Sequence, residues 1–310
     1  MSVRGRVAII TGAGGGLGRE YAIALAAAGA KIVVNDYGGS LDGKAGDSAK
    51  AQAVADEIIA AGGMAISDGH DVSKDAKSIV ARTVEAFGTV DILVNNAGIL
   101  GKPSSHDDFD GEAFMRVMEI GMLGTSLMTS AVYSIMREKK WGRIINVGSN
   151  AIYGFGAGGD CAYAASKGAI YAVTKDLGRF SPRDGIKING VMPSGWSRMG
   201  DISEGTKKLT RTFFDPAKVA PFVVLLSSEE CSVSGEMFTV SAGRAARETL
   251  ATFKGSNAGT AEGWLGDWDN VMGKREEIFL ADGCLDHTSY IVKQALGQEM
   301  GQIDGFNLAG

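Results

Sequence analysis

A short apolar strand that runs into a string of glycines and out into a helix constrains this chain more than any other stretch. Residues Arg6-Val7-Ala8-Ile9-Ile10 are apolar and β-branched enough to read as a buried strand. Thr11-Gly12-Ala13-Gly14-Gly15-Gly16-Leu17-Gly18 follows, and Tyr21, Ala22, Leu25 and Ala28 then recur at helical spacing. Glycine permits a tight turn and a close approach of backbone to a pyrophosphate, while the helix start supplies amide hydrogens and a positive dipole end. Such a turn can also be only a tight connection. Its place between strand and helix points instead to a phosphate cradle at Gly12, Gly16, Leu17 and Gly18.

A second strand, Lys31-Ile32-Val33-Val34-Asn35, ends in Asp36, about 20 residues beyond the glycines, where a carboxylate can accept hydrogen bonds from an adenosine ribose. That charge repels a 2′-phosphate and no arginine adjoins it, so NAD is expected over NADP. Strand and helix patterns then alternate. Strands are expected at Met64–Ser67, Asp91–Val94, Gly142–Val147 and Ile186–Met192, with Met237–Val240 as the last, and helices at about Ser73–Phe87 and Asp110–Lys140 and around residue 165. The alternation predicts an α/β fold, a doubly wound parallel sheet of the Rossmann type, as a single domain over residues 1–243 with a C-terminal extension over 244–310. Ligands in that architecture bind beyond the carboxyl ends of the strands.

Tyr163 and Lys167 stand four apart in one helical pattern, so phenol and ammonium share a face. An ammonium there favours the phenolate, drawing a phenol pKa of about 10 towards working pH and making Tyr163 usable as a general acid or base. A surface Tyr and Lys on an ordinary helix is the bland alternative. Ser149 closes the Gly142–Val147 strand and reads either as a substrate-binding hydroxyl or, with Asn150, as a helix cap.

The 310 residues are 45% hydrophobic with a net charge of −5 and no basic block, which argues against nucleic acid or an anionic membrane as a partner. Neither a secretory leader nor a spanning segment is read, so a cytoplasmic protein is expected. Cys161, Cys231 and Cys284 are odd in number and far apart, and His70, His106 and His287 lack metal spacing; all are read as ordinary loop or core residues, with no metal site.

Thr11–Gly18, Asp71-Val72, Asn95-Asn96-Ala97-Gly98, Gly148-Ser149, Tyr163–Lys167 and Asn189–Pro193 together resemble the short-chain dehydrogenase/reductase family over residues 5–243. Asn35–Gly39, Gly142–Ile145, Ile152–Gly154 and Ser197–Met199 are similar to a narrower branch, containing the 3-hydroxyacyl-CoA dehydrogenase region of peroxisomal multifunctional enzymes and bacterial 17β-hydroxysteroid dehydrogenase-like proteins. The resemblance implies an NAD-dependent oxidoreductase that interconverts a secondary alcohol and a ketone, a 3-hydroxyacyl-CoA or a hydroxysteroid, as a homodimer or homotetramer. It implies Tyr163 as the proton carrier, Lys167 as partner of Tyr163 and of the nicotinamide ribose, and Ser149 on the substrate oxygen. Asp71 and Val72 would flank the adenine, Asn95, Ala97 and Gly98 would close the cofactor cleft, and Pro193 and Gly195 would lie near the nicotinamide. Asn95-Asn96 could equally serve to fix backbone after a strand.

Two features depart from the family. Gly121 stands where the central helix usually carries an Asn that binds a relay water, and Ser149 precedes Tyr163 by 14 residues, implying a small insertion within Gly156–Asp160. They favour a competing reading, a non-catalytic NAD-binding subunit. A third is a reductase of small aromatic or terpenoid ketones, since fold does not fix substrate. The stretch from Gly195 to Phe214 reads as a mobile lid, in which Lys207 and Lys208 are either solvated or placed to meet a phosphate of coenzyme A. The helices at about 110–140 and 161–180 are the implied subunit faces, or else internal core.

Overall fold

The structure, a computed structural model, describes residues 2–40, 46–102, 107–155, 161–196, 204–250, 260–272, 289 and 292, with the backbone alone of Thr206. Gly156–Asp160, Ser197–Met199, His106, Cys284 and His287 lie outside the described residues. The elements run β1 (Val7–Thr11), α1 (Gly16–Ala27), β2 (Lys31–Asn35), α2 (Ala49–Ala60), β3 (Met64–Asp68), α3 (Ala76–Phe87), β4 (Ile92–Asn95), α4 (Gly111–Met118), α5 (Gly124–Glu138), β5 (Gly142–Val147), α6 (Cys161–Phe180), β6 (Ile186–Ser194), α7 (Glu204–Phe213), α8 (Ala220–Ser227), β7 (Met237–Ser241), β8 (Arg244–Glu248), α9 (Ala261–Gly266) and α10 (Trp268–Met272).

Every residue of β1, β4 and β5 is buried. These strands form the centre of an eight-stranded sheet in the order β3-β2-β1-β4-β5-β6-β7-β8, parallel except for β8. Helices cover both faces, which is why the central strands read as unbroken apolar runs. One layer of core joins α1, α2 and α8 to the sheet through Leu25, Val54 and Val223; the other joins α3 to α6 through Ile79, Met128 and Ile144.

The expected helix over residues 110–140 is interrupted. Glu119–Leu123 forms a single π-helical turn between α4 and α5. The sheet also continues past Val240: Ala242 and Gly243, both at positive φ, make a two-residue hairpin that returns Arg244–Glu248 antiparallel to β7. The stretch expected as a lid carries α7, and Leu209 and Phe214 are buried together with Val292 of the extension. Trp264, Leu265, Trp268 and Met272 of α9 and α10 are exposed.

Candidate active site

The strand order reverses between β1 and β4, and a cleft of about 350 Å³ opens at that switch point. Gly12, Gly16, Leu17, Gly18, Asp36, Asp71, Val72, Ala97 and Gly98 all line it. The turn after β1 is as tight as its glycines suggest: a Cβ on Gly18 would fall 2.3 Å from the Gly12 carbonyl oxygen. The two loops at the switch point are tied together. Thr11 Oγ1 accepts from the amides of Asn96 and Ala97, and Asn96 Nδ2 donates to the Thr11 and Gly12 carbonyls. A cradle that a side chain would fill, at the start of a helix, fits a dinucleotide phosphate.

Asp36 accepts from the Gly14 and Gly38 amides at 2.7 Å each, bracing the glycine turn while keeping lone pairs for ribose hydroxyls. Lys50, which the sequence did not single out, lines the cleft as well, as do Asn96, His70, Arg116 and Trp196. His70 is thus a cleft residue rather than an ordinary loop position; its Nδ1 lies 3.0 Å from Asp68 Oδ2. Burial raises the Asp71 pKa, but hydrogen bonds from the Ser73 hydroxyl and amide and from Arg116 outweigh it and hold the carboxyl below the ordinary range. Lys50 comes from the start of α2, His70 from the loop after β3, Arg116 from α4 and Trp196 from beyond β6, whereas Asn96 belongs to the Asn95–Gly98 stretch after β4.

Asn95 does not line the cleft. Its side chain is buried and donates to Thr129 Oγ1 and Asn146 Oδ1, fixing β4 against β5 and α5. Of the two readings for the Asn pair, the backbone-fixing one describes Asn95, and Asn96 takes the place on the wall. Pro193 sits on β6 opposite Val240, away from the wall, whereas a side chain on Gly195 would meet Leu17 Cδ2 at 2.6 Å. Trp196 next to it forms part of the wall, with its amide donating to the Phe214 carbonyl.

Tyr163 and Lys167 are both buried on the first turns of α6. Lys167 Nζ lies 5.5 Å from the Tyr163 ring centroid and donates to the Val147 carbonyl at 2.7 Å. It would stand 3.5 Å from a Cβ on Gly98, so the ammonium sits directly behind the cleft wall. Burial draws its pKa down to about 8. Ser149 follows the end of β5 and its Oγ accepts from the Ala151 amide at 3.1 Å, capping a short 3₁₀ turn, Asn150–Tyr153. The hydroxyl donates its own proton to Asn150 Oδ1 at 3.4 Å, a long bond that a substrate oxygen would compete for, so capping and substrate binding are compatible. The turn packs on α6, with Ala151 and Tyr163 in one buried cluster and the Phe155 ring stacked 6.4 Å from that of Tyr163.

At Gly121, within the π turn, the carbonyl accepts from Thr125 Oγ1 at 2.7 Å. A Cβ there would fall 2.2 Å from Ser166 Oγ. The space that a side chain at this position would take is occupied by the neighbouring serine of α6.

The family profile described as short chain dehydrogenase matches residues 6–203. The peroxisomal hydratase-dehydrogenase-epimerase of Saccharomyces cerevisiae is 35% identical over 285 residues, which is 90% of this chain and 31% of the yeast protein. The peroxisomal multifunctional enzyme type 2 of Drosophila melanogaster is 37% identical over 260 residues, 81% of this chain and 41% of the fly protein. The chain therefore spans well under half the length of these relatives. A crystal structure of 3-ketoacyl-(acyl-carrier-protein) reductase from Brucella melitensis complexed with NADH superposes with a TM-score of 0.69 at 31% identity, covering 78% of this chain and 99% of that one.

Proposed function

The chain belongs to the short-chain dehydrogenase/reductase family, near the dehydrogenase region of the peroxisomal multifunctional enzymes, and from that membership we propose that it interconverts a secondary alcohol and a ketone with NAD. A 3-hydroxyacyl-CoA or a hydroxysteroid is the proposed substrate class. The observation that carries the reading is the buried Lys167 ammonium beside Tyr163, immediately behind Gly98 of the cleft wall.

The glycine turn, Asp36, Asp71 and Val72 would hold NAD, which when bound would supply the hydride acceptor. Tyr163 takes the hydroxyl proton of the alcohol as its carbon is oxidised, and returns it in the reverse direction. Lys167, with its Nζ 5.5 Å from the Tyr163 ring centroid, favours the phenolate and is itself anchored by the Val147 carbonyl, two residues before Ser149. One strand end thus fixes both the ammonium and the hydroxyl that holds the substrate oxygen. Asp36 favours NAD over NADP by charge, with Lys50 as the cation that opposes it. The reading includes residence in the cytoplasm and a homodimer or homotetramer built through α5 and α6, where Ser126, Tyr133, Arg137 and Leu177 line a surface groove. Among the described residues no helix is long and apolar enough to cross a membrane.

Turnover against 3-hydroxyacyl-CoAs, hydroxysteroids and small secondary alcohols tests the proposal. Wild type should oxidise one class with NAD, and Tyr163→Phe should lose at least about 10²-fold in kcat while binding NAD as before. Wild-type rates in the Phe variant would refute the role of Tyr163.

A further inference from the structure

Asp71 is held by more than its own loop. Its Oδ1 accepts from the Ser73 amide at 2.9 Å and the Ser73 hydroxyl at 2.7 Å, and its Oδ2 accepts from Arg116 Nη2 at 3.1 Å. Arg116 comes from α4, 45 residues further along the chain, and its Nη1 also reaches Ser73 Oγ at 3.3 Å and Glu119 Oε2 at 3.4 Å. Its side chain is 23% exposed and that of Asp71 9%. The guanidinium is therefore a mostly buried fork that joins two elements and fixes the plane of one carboxylate.

Asp71, Arg116, Val72 and Ile120 all line the cleft. An ionised carboxylate can only accept hydrogen bonds, so a base laid against Asp71 is recognised by a donor on its edge. The exocyclic amino group of adenine is such a donor; the oxo group of hypoxanthine at the same position is an acceptor and meets the carboxylate unfavourably. That discrimination needs Asp71 to stay ionised and turned towards the base. Ser73 constrains Oδ1 alone, leaving Oδ2, the oxygen on the Arg116 side, to be oriented by the guanidinium.

We infer that Arg116 is a positioning residue that makes the cleft selective for an adenine base, by holding Asp71 in the acceptor orientation. The inference rests on the NAD reading above and goes beyond it in assigning base selectivity to a residue of α4. The test is calorimetric binding of NAD and of nicotinamide hypoxanthine dinucleotide to wild type, Arg116→Met and Arg116→Lys, with thermal unfolding as a check on folding. Wild type should prefer NAD by about tenfold or more, the scale set by leaving one buried polar contact mismatched. In Arg116→Met the ratio of the two dissociation constants should collapse to within about threefold; in Arg116→Lys, which keeps the charge but loses the fork, it should fall partway. Equal weakening of both dinucleotides, with the ratio unchanged, would mean that Arg116 merely supports the fold and would overturn the inference. Failure of wild type to bind NAD at all would overturn the NAD reading on which it stands.

Discussion

Lys167 carries a charge in a place where water cannot reach it, and stability should register that. Burial lowers its pKa from an ordinary 10.5 to about 8. Below pH 8 both the folded and unfolded chains hold the proton, and the folded one bears the full desolvation penalty. Between about 8 and 10.5 the unfolded chain binds more protons than the folded one, so this residue makes stability rise with pH across that window. Urea unfolding followed from pH 7.5 to 10.5 should show the rise in wild type and a flatter profile in Lys167→Met; parallel profiles would refute the assignment. At this scale the sequence was informative where chemistry is local. Tyr163 and Lys167 are four apart on one helix, and Asp36 follows its own strand, so spacing marked them as candidates while the motifs around them gave that spacing its weight. Arg116 and Lys50 reach the cleft only through tertiary folding, and nothing beside them in the chain marks them; His70 adjoins the Asp71-Val72 pair, but its own residue type in a loop carried no signal.

Elements were legible in proportion to their periodicity. The central strands announce themselves as β-branched runs because both faces are covered. Helix α2 is alanine-rich without a capping hydrogen bond from Ser48, and α8, Ala-Pro-Phe-Val-Val-Leu-Leu-Ser, is apolar all round and shows no stripe. Strand β8, Arg-Ala-Ala-Arg-Glu, has a helix-forming composition and is extended only because the hairpin lays it on β7. The break between α4 and α5 reflects contact between helices: at Gly121 the π turn comes so close to α6 that Ser166 Oγ stands where a Cβ would go. Gly121→Ala should therefore reduce the unfolding free energy by about 1–3 kcal/mol through overpacking, and Ser166→Ala in the same chain should restore most of it. Additive losses in that double-mutant cycle would show that the two positions do not meet.

For the whole molecule, the expected boundary at residue 243 falls inside the hairpin that completes the sheet. A chain ending at Gly243 leaves the edge of β7 unpaired and removes Glu248, whose carboxylate accepts from the Tyr153 hydroxyl at 2.8 Å and so steadies the turn after Ser149. It should aggregate on size-exclusion chromatography, while a chain ending at Leu250 should stay dispersed and bind NAD like the full length; identical behaviour of the two would deny β8 this part in the fold. The cleft itself divides the chain unevenly. Among the described residues, every one that lines it apart from Trp196 comes from the first 120 positions, while Ser149, Tyr163 and Lys167 all come later. The Asn95–Asn146 hydrogen bond stitches the two portions across neighbouring strands. On the proposed function the chain is thereby arranged like a handle and a set of blades: a swap upstream of that stitch would exchange the coenzyme grip, a swap downstream the chemistry, and recombination between relatives at this seam would shuffle the two without redesigning either.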